Sequence, residues 1–244
     1  YLNSHNIVKV REVQEAIREL YGDDASRYED DAAKKLYIRR IYDMIPSQME
    51  NKKKRIVAKD ILDRKGDRFS NYVEEFEYLI NSGITIASHA ISNPKYPLAE
   101  SQQKNLLKLY MNDVGMLTSQ LYHYNIQPIL NDIASINLGS VYESAVAQEL
   151  KAHYEKLFYY DNKQKGEVDF LVDDSGTTSV LPIEVKSGKD YTVHSALDNL
   201  MSISDYHIVS SIHLSNEREI KTKGNIVYLL IYYVMFLENE VPEE

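Results

Sequence analysis

Apolar residues fall at helical spacing through the first eighty residues. Val10, Val13, Ile17 and Leu20 predict a helix over Val10–Leu20, with Gly22 behind it as a stop. A second helix is predicted from about Tyr28 to Ile45, ended by Pro46. The stretch NKKKRIVAKDILDRKGDRFSNYVEEFEYLINSGI then reads helix, turn, helix. Its second helix carries Phe69, Tyr72, Val73, Phe76 and Leu79 on one stripe and closes at Gly83. Ile84–Ser88 alternates like a strand, and Leu106–Asp113 can return beside it. Short helices followed by a small hairpin give the outline of a winged helix.

Beyond residue 113 the period changes. Helical stretches over Val114–Tyr122 and Ile126–Ile133 lead into a stronger helix, SVYESAVAQELKAHY. LFYY, GEVDFLV and VLPIEVKS follow as strands, then a helix over Val193–Ile203, then YHIVSSI and NIVYLL as further strands. Strands interleaved with helices predict a mixed α/β sheet. The chain is therefore expected to divide into a helical, winged-helix-like domain over 1–112 and an α/β domain over 113–244. The run IVYLLIYYVMFL, Ile226 to Leu237, is too short to span a bilayer and reads as a buried strand entering a helix.

Composition narrows the chemistry. The 244 residues carry a formal net charge of −9, so no global basic field favours nucleic acid. Only a local patch could, and Lys52–Arg68 is one, with eight Lys or Arg against three Asp. The helix behind it holds Glu74, Glu75 and Glu77, which repel phosphate. There is no cysteine, which excludes disulfides and Cys-based zinc sites, and no His-x-x-x-His pair among seven histidines. These features, with no secretory signal, read as a cytoplasmic chain. It opens on Tyr1 rather than Met, as a piece of a longer protein would.

Three ionisable residues stand where a sheet favours valine: Asp169 in GEVDFLV, and Glu184 and Lys186 in LPIEVKSG. Residues two apart in a strand face the same way. Glu184 and Lys186 thus share one side, opposite Ile183 and Val185, while Asp169 lies opposite Val168, Phe170 and Val172. If the strands are neighbours, the three charges converge. The carboxylates are hard oxygen ligands suited to Mg²⁺ or Mn²⁺, and Lys186 can hold a water or stabilise charge on a phosphate. The plain alternative is the solvated face of an antiparallel pair. Against it stand the apolar run around Asp169, and Pro182, which on this reading opens the second strand, with Ser187-Gly188 closing it.

The order Asp169, hairpin, Glu184-Val185-Lys186 resembles the PD-(D/E)xK nuclease signature. That resemblance implies a further acid from a preceding helix, and Glu143 of GSVYESAVAQEL is the candidate, ahead of Glu149. Glu143 also fits a Ser-x-x-Glu capping box with Ser140, and both roles stay open. His194 and Ser187 read as a helix-start and a turn residue. The tyrosine clusters Tyr159-Tyr160 and Tyr232-Tyr233 read as core packing mixed with partner contacts.

A wider set of stretches falls in one order: KLYMNDVGML, LGSVYESAVAQEL, GEVDFLV, LPIEVKSG with HSAL, and GNIVYLLIYYVMFL. Together they resemble the domain of unknown function at the C-terminus of predicted bacterial and archaeal AAA+ ATPases, and IPSQM with Asn-Lys-Lys-Lys extends the likeness into the first half. The resemblance implies a restriction-endonuclease-like second half and an ATPase module upstream of this chain. No Gly-x-x-x-x-Gly-Lys-Ser/Thr loop occurs here, so ATP phosphates are not cradled by that route. Two functions are expected. One is a metal-dependent nuclease-like site acting on nucleic acid, with Asp169 and Glu184 as metal ligands, joined by Glu143, and Lys186 catalytic. The other is a non-catalytic module through which the ATPase meets a protein partner. No membrane contact is expected.

Overall fold

The computed structural model describes residues 5–27, 29–123, 138–187, 195–216 and 219–238. The chain forms two compact units: 1–86 with 108–136, and 87–107 with 137–244. The sequence boundary cuts once, between 112 and 113, whereas the compact units interleave.

The first unit is helical. Helix α1 spans Ile7–Arg27, α2 Ala32–Glu50, α3 Ala58–Leu62, α4 Val73–Asn81 and α5 Val114–Tyr122. α2 begins on Asp31, whose carboxylate accepts from the N–H groups of Ala33 at 2.7 Å and Lys34 at 3.2 Å, satisfying donors that the first turn leaves open. It buries Ile38, Ile41, Tyr42, Ile45 and Met49 on one stripe. Two expected helix ends are wrong. α2 runs through Pro46, because the buried stripe continues to Gln48 and Met49 and offsets the lost backbone bond. α1 runs through Gly22, where a Cβ would meet Cζ of Arg39 at 2.8 Å, so this glycine serves close approach rather than termination. The buried side of α1 also differs from the expected stripe. Val13 and Leu20 are exposed, while Arg11, Arg18 and Ala25 are buried. The stop of α4 holds: Gly83 follows it at φ +74°, a left-handed conformation that suits glycine.

Most of the second unit's strands belong to a mixed sheet of eight among the described residues, in the order β2-β1-β3-β4-β5-β6-β8-β7. The strands are β1 Thr85–Ile91, β2 Gln102–Met111, β3 Leu157–Asn162, β4 Gly166–Asp174, β5 Ser179–Lys186, β6 Ser211–Ser215, β7 Lys221–Lys223 and β8 Ile226–Leu230. β3, β4 and β5 form an antiparallel meander, while β5, β6 and β8 run parallel. The expected separate hairpin is not one, because β1 also pairs in parallel with β3 through Ser88–Ile91 and so extends the large sheet. Helix α6, Gly139–His153, packs against β5 and β3, and α7, Ser195–Met201, packs against β4. Tyr159 and Tyr160 are fully buried, whereas Tyr232 is exposed and stacks on Tyr233 at 5.0 Å in a 3-10 segment after β8. The stretch expected to be helical over 126–133, together with Gly188 and His194, lies outside the described residues.

Candidate active site

The carboxylates come to the sheet's centre by a local irregularity in β4. Phe158 of β3 faces Leu171, but Tyr160 faces Val168. Two steps along β3 thus match three along β4, which is a bulge at Asp169 and Phe170. Simple alternation puts Val168 and Leu171 on opposite sides; the bulge instead brings both into one apolar cluster with Phe158, Tyr160, Leu197 and Leu200. The sequence expectation for the faces of β4 is corrected accordingly. Pairing with β5 ends at Phe170 opposite Ile183. One residue further on, the Val185 N–H donates to Oδ2 of Asp169 at 2.8 Å. A side-chain carboxylate stands here where a ladder would supply a backbone carbonyl.

β5 carries the other two charges. Alternation sets Glu184 and Lys186 on one side, and Nζ of Lys186 donates to Oε1 of Glu184 at 2.5 Å. Pro182 sits inside the strand opposite Leu171 rather than at its start. It is tolerated because the pairing with β6 begins only at Ile183 opposite Ile212, so the missing N–H falls outside that ladder.

Burial sets the electrostatics. Glu184 is only 3% exposed, and its Oε2 has no hydrogen-bond partner among the described residues. Its pKa is pushed up to about 8, first by burial and then by the negative charge of Asp169, with Glu143 adding in the same direction and Lys186 opposing. Burial lowers the pKa of Lys186, but Glu184, Asp169 and Glu143 outweigh it and hold the ammonium above its usual range. Glu143 is itself buried on α6. Its expected capping box is absent: α6 starts at Gly139 with Leu138 as the N-cap residue, so Ser140 lies inside the helix and not ahead of it. Glu149 is only partly buried and does not figure among the charges acting on Glu184.

Asp169 and Glu143 therefore both act on Glu184 against Lys186, and among the described residues the buried Oε2 of Glu184 lacks a donor. Such a surplus is expensive unless a positive group meets it. Asp169 and Glu184 are the residues that could hold a hard divalent cation. Among the described residues no three His, Cys, Asp or Glu side chains converge to hold a metal unaided. Two carboxylates with water or substrate oxygens completing the shell is the way Mg²⁺ is commonly held. The sequence reading missed His213, which is fully buried on β6 directly opposite Glu184 in the parallel register. The signal was a histidine between Ile212 and Leu214 in the strand SIHLS, a neighbour of β5.

Two family models match the chain. A domain of unknown function, DUF8612, matches residues 1–124, just over half of its length. The chain belongs to the DUF8612 family. A second domain of unknown function, DUF4143, matches residues 138–233 of this DUF8612 member, a span that holds Glu143, Asp169, Glu184, Lys186 and His213. No curated protein and no solved structure matches it.

Proposed function

We propose that the second unit is a divalent-cation-dependent phosphodiesterase site acting on nucleic acid, within a protein whose ATPase module lies outside this chain. The observation that carries this reading is Glu184, buried, with one oxygen bound to Lys186 and the other without a donor among the described residues. Asp169 and Glu184 supply the hard oxygens, and Glu143 adds negative potential from α6. Bound there, Mg²⁺ or Mn²⁺ would supply Lewis acidity toward a phosphate oxygen and an acidified water. The chain's own part is to orient and to balance charge. Asp169 is fixed by the Val185 N–H, so its second oxygen keeps a set direction. Lys186, one-third exposed on its side chain, reaches from Glu184 toward solvent, where its ammonium can hold a non-bridging phosphate oxygen or a water. PD-(D/E)xK resemblance and the fit of these residue types support the nucleic-acid substrate.

The test is cleavage of single- and double-stranded DNA and RNA by the purified chain with Mg²⁺ or Mn²⁺, beside Asp169→Asn and Glu184→Gln. Cutting by the wild type alone supports the reading. Equal traces of cutting in all three proteins would sink it. A second reading, a protein-docking module of an ATPase, draws on the net charge of −9 and on the exposed Tyr232, Met235 and Phe236. Cation-independent retention of an ATPase partner by the double variant would favour that reading.

A further inference from the structure

The backbone of the helical unit gathers cations between α2 and α4. The Lys54 N–H donates to the Asn51 carbonyl at 3.1 Å, which sets Lys52 and Lys53 at the tip of a turn directly behind α2. α3 ends at Asp63, whose left-handed backbone (φ 52°) folds the chain back, and the Arg64 N–H donates to the Lys59 carbonyl at 3.0 Å. A second turn follows, closed by the Asp67 N–H on the Arg64 carbonyl at 3.4 Å, with Lys65 and Gly66 at its tip. Lys52, Lys53, Lys59, Arg64, Lys65 and Arg68 are all exposed. Of the three aspartates in this stretch, Asp67 accepts from the Tyr72 hydroxyl at 2.6 Å and from Asn71 at 3.3 Å, and Asp60 accepts from the Gln48 amide at 3.4 Å.

The sequence objection to a polyanion here was the three glutamates of α4, and the fold disarms two of them. Glu75 is turned into the interior at 5% exposure, where burial raises its pKa and so disfavours its anion. Glu74 binds the Lys34 ammonium at 2.5 Å. We propose that Lys52–Arg68 is a grip for the phosphate backbone of duplex nucleic acid, blind to base sequence. Long cationic side chains on turn tips reach phosphates and release their counterions, whereas α3, five residues long, offers no helix to read a groove. A lipid surface fits less well, because Val57 is the exposed large apolar side chain of the segment and no apolar face accompanies the charge. The inference rests on the nucleic-acid reading above for its choice of polyanion. It adds the local attraction that a chain of net charge −9 otherwise needs.

Fluorescence anisotropy of a short labelled DNA duplex with the full chain tests it, in EDTA so that the cation site is not engaged. Lys52→Glu with Lys53→Glu, and Arg64→Glu with Lys65→Glu, should each weaken binding by about 10- to 100-fold at about 100 mM salt. Each pair should also cut the slope of log K against log salt by about 2. Lys156→Glu with Lys163→Glu makes the same change in net charge at two exposed lysines of the sheet unit, and should stay within about threefold of the wild type. A wild type that binds no duplex overturns the grip, as does equal binding by all four proteins or an equal loss in all three pairs. Retention on phosphatidylserine vesicles but not on the duplex overturns it too, and marks lipid headgroups as the ligand. Should a variant fail to melt cooperatively, acetylation of the wild type decides: protection of Lys52, Lys53, Lys59 and Lys65 by the duplex supports the grip, and no protection overturns it. Segment-dependent binding without cleavage in Mg²⁺ supports the grip while retiring the phosphodiesterase reading; cleavage without such binding overturns the grip alone.

Discussion

Both units bury charge, and they treat it oppositely. In the helical unit Arg18 is nearly buried, yet it pairs with Glu19 and, at 3.0 Å, with Asp43. Arg39 binds Glu19 and Asp23 at 2.6 Å and Asp43 at 2.8 Å. Burial works against the Arg39 cation, but Asp43 and Glu19 raise its pKa, while the bond from Arg39 lowers that of Glu19. Arg11, whose pKa burial lowers, places one nitrogen on three neutral oxygens, of Gln14 at 2.9 Å, Gly115 at 3.1 Å and Thr118 at 2.6 Å. There each guanidinium meets several oxygens, although Nε of Arg11 and of Arg18 is buried without an acceptor among the described residues. In the sheet unit Asp169 and Glu143 push against the buried carboxylate of Glu184, Lys186 opposes them, and among the described residues Oε2 of Glu184 has no donor. Burial alone therefore does not mark a site. What sets Glu184 apart is that like charges, those of Asp169 and Glu143, act on it in its buried place.

Substitutions can break this contrast. The largest effect is expected at Glu184. Glu184→Gln should abolish measurable Mn²⁺ binding by calorimetry, at least about 100-fold weaker. In the same protein, urea unfolding at pH 8 without metal should show a gain on the order of a few kcal/mol, since the costly buried anion is gone. Loss of stability in Glu184→Gln would mean that the carboxylate is structural. Arg18→Ala should do the reverse, losing about 2 kcal/mol through packing and pairing while leaving Mn²⁺ affinity unchanged.

Acid-base behaviour sharpens the contrast further. Because the folded pKa of Glu184 lies near 8, above its ordinary 4.5, the unfolded chain gives up this proton first as pH rises. The contribution of Glu184 to stability is thus neutral below about pH 4.5 and grows more unfavourable up to about pH 8, with a slope of at most about 1.4 kcal/mol per pH unit. Urea melts of wild type against Glu184→Gln across that window should diverge in this direction, and saturating Mn²⁺ should close the gap. The smallest effect belongs to the exposed pair of Lys34 and Glu74, 2.5 Å apart in the helical unit. Lys34→Ala should leave the melting midpoint within experimental error.

Much of the candidate site could be read from the order of residues. Asp169, Glu184 and Lys186 interrupt apolar strands, and period-two alternation places the last two together whatever the tertiary structure. The bulge could not be read, because it depends on how β4 registers against β3, and nothing local to GEVDFLV specifies that offset. His213 escaped for a similar reason: its meaning comes from lying opposite Glu184 on a strand twenty-nine positions later. In the helical unit, Gly22 and Pro46 misled because local punctuation lost to tertiary packing, against Arg39 in one case and along the Met49 stripe in the other. Arg11 and Arg18 on the buried side of α1 defeat any rule that equates polar with exposed. The edge strand β7, Lys-Thr-Lys, is too short and too polar to announce itself.

Asp169 holds the end of the β4–β5 ladder open by accepting from the Val185 N–H. This acid is accordingly also a hinge pin of the backbone, and the two duties separate by chemistry. Asparagine can keep the pin while surrendering the anion; alanine gives up both. On the proposed reading, a related chain that kept the architecture without the cation would be expected to carry an amide at this position.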